Sequence, residues 1–428
     1  MELKTVPLYA GIDLHTLHDS RHVSNRLSIN LCVPLQADTV TPYALLGEIL
    51  GRSSQKYPTF AALNRRLYDL YGSFYDCRVS SLGDCQVLTL MVQGIDDRFC
   101  LEKEPLLTQL ADFLCDMLLC PCADQNGFDA QLVEVEKKNQ RDEIAAQLNN
   151  KRAWALQRAR EQVFCGQPAA IPRLGWAETL DAITPASLYG SYRRLLREAS
   201  IHIIVSGSGA LSQVEEPLRR RLSAITADRR PLSICHHSVP TAPEKTEQLE
   251  EMQMNQTKLV FCLAPCPPFT AQQYGAVRVA MALLGSTPFS RLFVNVREKE
   301  SLCYYCDGRY NRLNGLTTID LGLDYKDCAR AEKAVMEQIQ ALQAGDFSDS
   351  EIEDTKKYLL GGFASMGDSL GELDPWYLAQ IIEGRCQSPE QAADQVRRAT
   401  REEMVTVYRS LKPILRYTLA EEQHPEKE

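Results

Sequence analysis

The 428 residues, 44% hydrophobic and 24% charged, have the composition of a folded globular chain, and the length exceeds what one ordinary core holds, so two domains or more are expected. A net charge of −9 argues against a nucleic-acid surface, which needs basic patches. No apolar run approaches the roughly 20 residues of a transmembrane helix, and residues 1–14 lack the basic-then-apolar order of a signal peptide, so a cytoplasmic protein without a membrane partner is expected.

Along the chain, residues 26–33 alternate as a strand, and a helix is expected over 43–50. A second helix over 59–70 leads into a β-hairpin over 73–93. One long amphipathic helix is expected over 129–163, with Leu132, Val135, Asn139, Ile144 and Leu148 near helical spacing. Thr184-Pro185 marks a helix start, and 201–205 a closing strand. Residues 226–255 hold Asp228-Arg229-Arg230-Pro231, Pro240-Thr241-Ala242-Pro243 and an acidic run at 247–251, and read as a linker with the lead-in to a strand. The same order then returns: a strand at 258–264, helices at 272–284 and 288–297, and a hairpin at 302–324. A last helix starts at Thr400, where Glu403 completes a capping box, and a strand at 415–419 closes the half. Residues 361–371 are glycine-rich but lack the Lys and preceding strand of a phosphate loop, so a bend or close packing is expected there.

The return is a repeat. Shifting by 229 residues lays 63–77 over 292–306 without a gap, so that Leu63 meets Leu292, Tyr75 meets Tyr304 and Cys77 meets Cys306. Shifting by 216 lays 184–195 over 400–411. A two-fold similarity at this spacing means duplicated domains rather than a solenoid of short repeats. The expected division is an N-terminal domain over 1–226, a linker and lead-in over 227–255, and a C-terminal domain over 256–428, in an α+β fold with mixed, mostly antiparallel sheets flanked by helices.

The 15 cysteines are odd in number and spread over the chain, which favours reduced thiols acting as small core residues. Cys303 and Cys306 have redox or metal spacing, but a strand over them would point the two thiols to opposite faces. The seven histidines are His15, His18, His22, His202, His236, His237 and His424. None forms a helical H-x-x-x-H pair in an apolar frame; His18 and His22 have the spacing but lie in a polar segment, so no metal site is expected in this chain.

The most specific signal is the run SRLF (290–293), VREK (296–299) and Leu302-Cys303-Tyr304. It resembles the C-terminal signature of the pitrilysin/insulinase/mitochondrial processing peptidase family of zinc metallopeptidases. The resemblance implies two homologous α/β halves facing each other as a clam-shell. The family binds zinc through an inverted H-x-x-E-H motif near its N-terminus, with a third ligand, Glu, on a later helix. Anchored on Lys56-Tyr57-Pro58, that motif falls on residues 44–48, so the two histidines become Ala44 and Glu48 and the general base becomes Gly47. Glu134, in Glu134-Val135-Glu136-Lys137, would be the leftover third ligand, and alone it cannot hold zinc tightly.

What the family resemblance leaves intact is Arg297 and Tyr304, seven residues apart. In the family this pair reaches the zinc site from the C-terminal half, where a guanidinium fork and a hydroxyl bind the substrate carbonyl and its oxyanion. The first half has Tyr68 where Arg297 stands. The resemblance therefore implies a zinc-less subunit, nearest to the bacterial branch often labelled as associated with the 5-aminopentanol modification of elongation factor P. Its partner would be a zinc-bearing H-x-x-E-H paralogue, and its substrate a peptide held as an added strand. The alternative is a non-catalytic scaffold or regulator that binds a peptide or protein.

Overall fold

The computed structural model describes residues 2–422, so His424 lies outside the described residues. The chain divides into two compact units. The first takes the chain through residue 146, Ile171–His236 and Gly367–Ser388; the second takes Gln147–Ala170, His237–Met366 and the chain from Pro389 onward. Each unit thus contains one segment drawn from the other half of the sequence.

The strands are β1 (Lys4–Tyr9), β2 (Ile12–His18), β3 (Ser24–Pro34), β4 (Phe74–Leu82), β5 (Cys85–Ile95), the short β6 (Ala123–Asp124) and β7 (Gly127–Phe128), β8 (Ser200–Gly207), β9 (Glu247–Met252), β10 (Thr257–Pro265), β11 (Tyr305–Asn311), β12 (Leu316–Leu323) and β13 (Leu411–Glu421). The first unit's sheet runs β1-β2-β8-β3-β5-β4, and the second's runs β11-β12-β10-β13-β9. Each is antiparallel except for one pairing, β2 with β8 in the first and β9 with β13 in the second. Strand for strand, β4-β5-β3-β8-β2 repeats as β11-β12-β10-β13-β9, and β1 is an addition. The repeat extends to the helix starts. Thr184 and Thr400 each close a capping box, with Ser187 and Glu403 three residues on.

The central strands bury both faces. In β10, Leu259, Phe261 and Leu263 enter one core while Val260 and Cys262 enter another, where the helix Lys151–Val163 supplies Ala155, Ala159 and Val163. In β3, Leu27, Ile29, Leu31 and Val33 enter the first unit's core, whereas Arg26, Ser28 and Asn30 on the opposite face are buried and polar. The helix Leu370–Ile382 belongs to that unit and meets Arg26 with Asp374, Nε to Oδ2 at 2.7 Å, both side chains almost wholly buried. In the second unit Arg152, on the helix Lys151–Val163, grips Asp320 of β12 with Nε and Nη2 at 2.5 and 3.0 Å. A planar fork on a carboxylate fixes orientation as well as contact.

Two elements depart from expectation, and a third meets one of its two alternatives. The single helix over 129–163 is two helices, Ala130–Ala146 and Lys151–Val163, because Asn150 breaks the run and caps the second by accepting from the Ala153 amide at 3.1 Å. Residues Glu247–Met252, within the span read as linker and lead-in, form the edge strand β9. Of the bend or close packing expected over 361–371, the bend is present: a Cβ at Gly361 or Gly362 would meet nothing within 4 Å, but the helix Asp349–Met366 ends in a turn at 367–368 before the next helix starts at Leu370.

Candidate functional site

The positions aligned with the zinc motif lie on the helix Val40–Arg52, whose apolar side is buried through Tyr43, Ala44, Leu45, Leu46, Ile49 and Leu50. Ala44 is buried in that packing. Gly47 faces β4, and a Cβ there would stand 2.8 Å from Cγ2 of Val79, so any side chain at this position would require helix or strand to shift. Glu48 is half-buried. Burial first, and then the charges of Glu143 and Glu136, push its carboxyl above the usual range, against the pull of Arg52 and Arg173.

The helix Ala130–Ala146 turns Val133, Glu136, Lys137 and Gln140 inward. Glu136 is buried, ion-paired with Arg52 Nε at 3.1 Å and accepting from Asn139 Nδ2 at 2.8 Å. Glu143 binds Arg173 Nη2 at 2.9 Å, and Arg173 Nη1 donates to the Val79 carbonyl at 3.1 Å. Glu134 is 69% exposed and paired with Lys137 at 3.0 Å. The structure thus brings Glu48 to Glu136 and Glu143 and leaves Glu134 outside. The signal was available in sequence: Glu136 and Glu143 share a helical face with Val133 and Gln140 at seven-residue spacing, whereas two positions away is nearly the opposite face.

A catalytic zinc needs three nitrogen, sulfur or oxygen donors and an open position. Ala44 and Gly47 offer no donor, and the inward carboxylates are matched by two guanidinium groups. These residues do not fit the metal, and no hydrolytic step is available at this place.

The second location is that of Arg297 and Tyr304. Arg297 lies on the helical turn Leu292–Lys299, its guanidinium 4.5 Å from the Phe293 ring and 3.5 Å from Glu298 Oε1. Ser301 takes a left-handed conformation, φ +52°, which reverses the chain into β11. The Tyr304 amide donates to the Gly322 carbonyl at 2.8 Å, extending the hairpin. Its ring is 60% exposed, and its hydroxyl donates to Asp324 Oδ1 at 3.2 Å, a bond that raises the hydroxyl above its ordinary range. Arg297 and Tyr304 line one cleft of about 420 Å³ with Cys303, Asp324 and Asp327. Arg291 instead holds Glu351 at 3.0 Å, a structural contact. The repeat shows what is special here. Tyr75, aligned with Tyr304, is turned into the first unit and donates to the Leu50 carbonyl at 2.9 Å, and Tyr68, aligned with Arg297, is exposed.

The opposite-face expectation for Cys303 and Cys306 is corrected: Cys303 precedes β11, outside strand geometry, and the two thiols interact. The neighbouring Cys306 thiol, opposed by burial and aided by Arg297, lowers the Cys303 thiol, while Cys306 rises. His18 ends β2 and His22 lies beyond it in a turn, so no helical face joins them.

Against known proteins, the family description "Peptidase M16 inactive domain" matches residues 182–359. A Bacillus subtilis (strain 168) protein described as "Probable inactive metalloprotease YmfF" is 27% identical over 348 residues, covering 81% of each chain. A conserved protein from Enterococcus faecalis V583 superposes with a TM-score of 0.90 at 24% identity over 100% of both chains. A protease from Helicobacter pylori gives 0.80 at 11% identity over 98% of this chain and 99% of that one. A peptidase M16 inactive domain from Pseudomonas fluorescens gives 0.77 at 16% identity over 100% and 99%. At these identities the superpositions establish the fold.

Proposed function

We propose, from the premise that the chain belongs to the M16 peptidase family as an inactive-peptidase-like member, that it is the non-zinc subunit of a two-subunit processing metallopeptidase. The partner would be a zinc-bearing H-x-x-E-H paralogue, and this chain would contribute Arg297, Tyr304 and part of the wall around the substrate. The carrying observation is an asymmetry. The zinc-motif positions are filled by packing and a carboxylate–arginine network, while Arg297 and Tyr304 line one open cleft. The edge strands β4 and β11 offer backbone groups to which an extended peptide can add. The reading places the protein in the cytoplasm; all fifteen cysteines are unpaired, and among the described residues no helix is long and apolar enough to cross a membrane.

In such a pair Arg297 and Tyr304 would donate to the developing oxyanion, and loss of one such donor costs about 10²–10³-fold in turnover. Arg297→Ala with Tyr304→Phe, assayed after reconstitution with the zinc-bearing relative, is therefore expected to lower kcat by about 100-fold or more without preventing assembly. Full kcat in the double variant removes the catalytic contribution. It would leave a non-catalytic peptide- or protein-binding scaffold, a reading favoured by one observation: Asp324 and Glu298 already engage Tyr304 and Arg297.

A further inference from the structure

In the first unit, β2 and β8 run parallel with Asp13 opposite His202. Asp13 and His15 are two residues apart on β2 and so share a face of the sheet with His202. His15 Nε2 lies 3.2 Å from His202 Nδ1, and His202 Nδ1 lies 4.0 Å from Asp13 Oδ2. The three donor atoms all fall within 4.8 Å of one another. Two imidazole nitrogens bound to one tetrahedral ion at about 2.0–2.1 Å stand roughly 3.3 Å apart. The histidine pair already has that spacing.

The outer nitrogens are also held. His15 Nδ1 meets Thr5 Oγ1 at 2.9 Å, and His202 Nε2 meets Ser200 Oγ at 3.3 Å. If both outer nitrogens donate to these hydroxyls, both inner nitrogens present lone pairs to each other, an arrangement that a cation between them satisfies. Supporting bonds of this kind fix tautomer and ring orientation in metal sites. Burial favours the neutral form of both rings, which is the ligand form. Burial, and then His202, drives His15 down to about 4; burial lowers His202, against the pull of Asp13. Asp13 is 32% exposed and leaves a mouth through which an ion can enter and keep a water as fourth ligand.

We propose that Asp13, His15 and His202 form a binding site for one late first-row divalent cation, of the Zn²⁺ and Co²⁺ type, at a place distinct from the zinc-motif positions on the helix Val40–Arg52. Two imidazoles and one carboxylate suit these ions rather than Mg²⁺ or Ca²⁺, which prefer all-oxygen sets. A bound ion would clamp β2 to β8, strands that come from two different segments of the first unit.

The test is Co²⁺ titration of the chelator-stripped full chain, followed by visible absorption and by thermal unfolding. One equivalent should give the d–d bands of a nitrogen–oxygen site without a thiolate-to-cobalt charge-transfer band, be displaced by Zn²⁺, and raise the unfolding temperature. Asp13→Asn and His202→Gln should each weaken binding by about 100-fold, the upper end of what even a supporting contact is worth. Absence of bands at one equivalent, a charge-transfer band showing cysteine ligands, or unchanged binding in the Asp13→Asn chain would each overturn the proposal. The wild-type spectrum alone decides the matter if His202→Gln does not fold.

Discussion

Anchored on Lys56-Tyr57-Pro58, the resemblance puts the family's general base at Gly47, and placing a carboxylate there is a sharp test of how this helix packs. A Cβ at Gly47 would stand 2.8 Å from Val79 Cγ2. Val79 is β-branched and set in β4, so relief requires movement of helix or strand, an overpacking cost of about 1–3 kcal/mol. Replacing glycine inside a helix returns up to about 1 kcal/mol of propensity. Gly47→Ala should therefore be destabilising by roughly 0–2 kcal/mol. Gly47→Glu adds a carboxylate in a buried position beside Glu48, a group that burial and the charges of Glu143 and Glu136 already hold above its usual range. The added group would be driven upward as well, so its cost is small where both folded and unfolded forms are protonated and grows as pH rises above the unfolded value. At pH 7.5 a total loss of about 3 kcal/mol is expected, which at about 2–4 °C per kcal/mol lowers the unit's transition by roughly 6–12 °C. Calorimetry of wild type, Gly47→Ala and Gly47→Glu at pH 5 and 7.5 measures it. A Gly47→Glu chain that melts with wild type at both values would refute the packing of this helix on β4.

Asp374→Ala should cost about 3–5 kcal/mol in urea unfolding, because Arg26 is left charged and buried; a loss under 1 kcal/mol would mean that the contact is not formed. His15, driven down to about 4 by burial and His202, stays neutral in the fold while the unfolded chain protonates near 6.5. Its contribution is therefore present above pH 6.5 and lost as pH falls toward 4, on the order of 3 kcal/mol; stability measured against pH in chelator should lose this slope in His15→Asn. Arg297→Ala and Tyr304→Phe, at partly exposed side chains, should leave the isolated chain's stability within about 0.5 kcal/mol of wild type. Their effect is expected only in the assembled pair.

Much of the fold was legible because duplication doubles every signal. The capping residues Thr184 and Thr400 and the aligned strands β5 and β12 can be read twice. The edge strand β9 was hidden because it has one neighbour and alternates polar residues, so Glu247–Met252 carries no apolar period. The helix break at Asn150 was hidden for the opposite reason, since helical spacing resumes on its far side. At the site, SRLF-VREK singled out Arg297 and Tyr304, which line one cleft, but Tyr304's bond to Asp324 depends on the hairpin register and has no local spacing. Choosing between Glu134 and Glu136 required the helix face rather than the motif. The Asp13, His15 and His202 cluster spans 189 positions on two strands, beyond the reach of any motif spacing.

The most direct measurement is to purify the tagged chain from its native cells and identify what stays with it in stoichiometric amount. A peptidase-active complex containing a relative with an intact H-x-x-E-H motif, in which Arg297→Ala and Tyr304→Phe lower turnover, is the predicted result. A chain recovered alone, or a complex whose peptidase activity ignores both substitutions, would contradict a catalytic role and leave a binding scaffold.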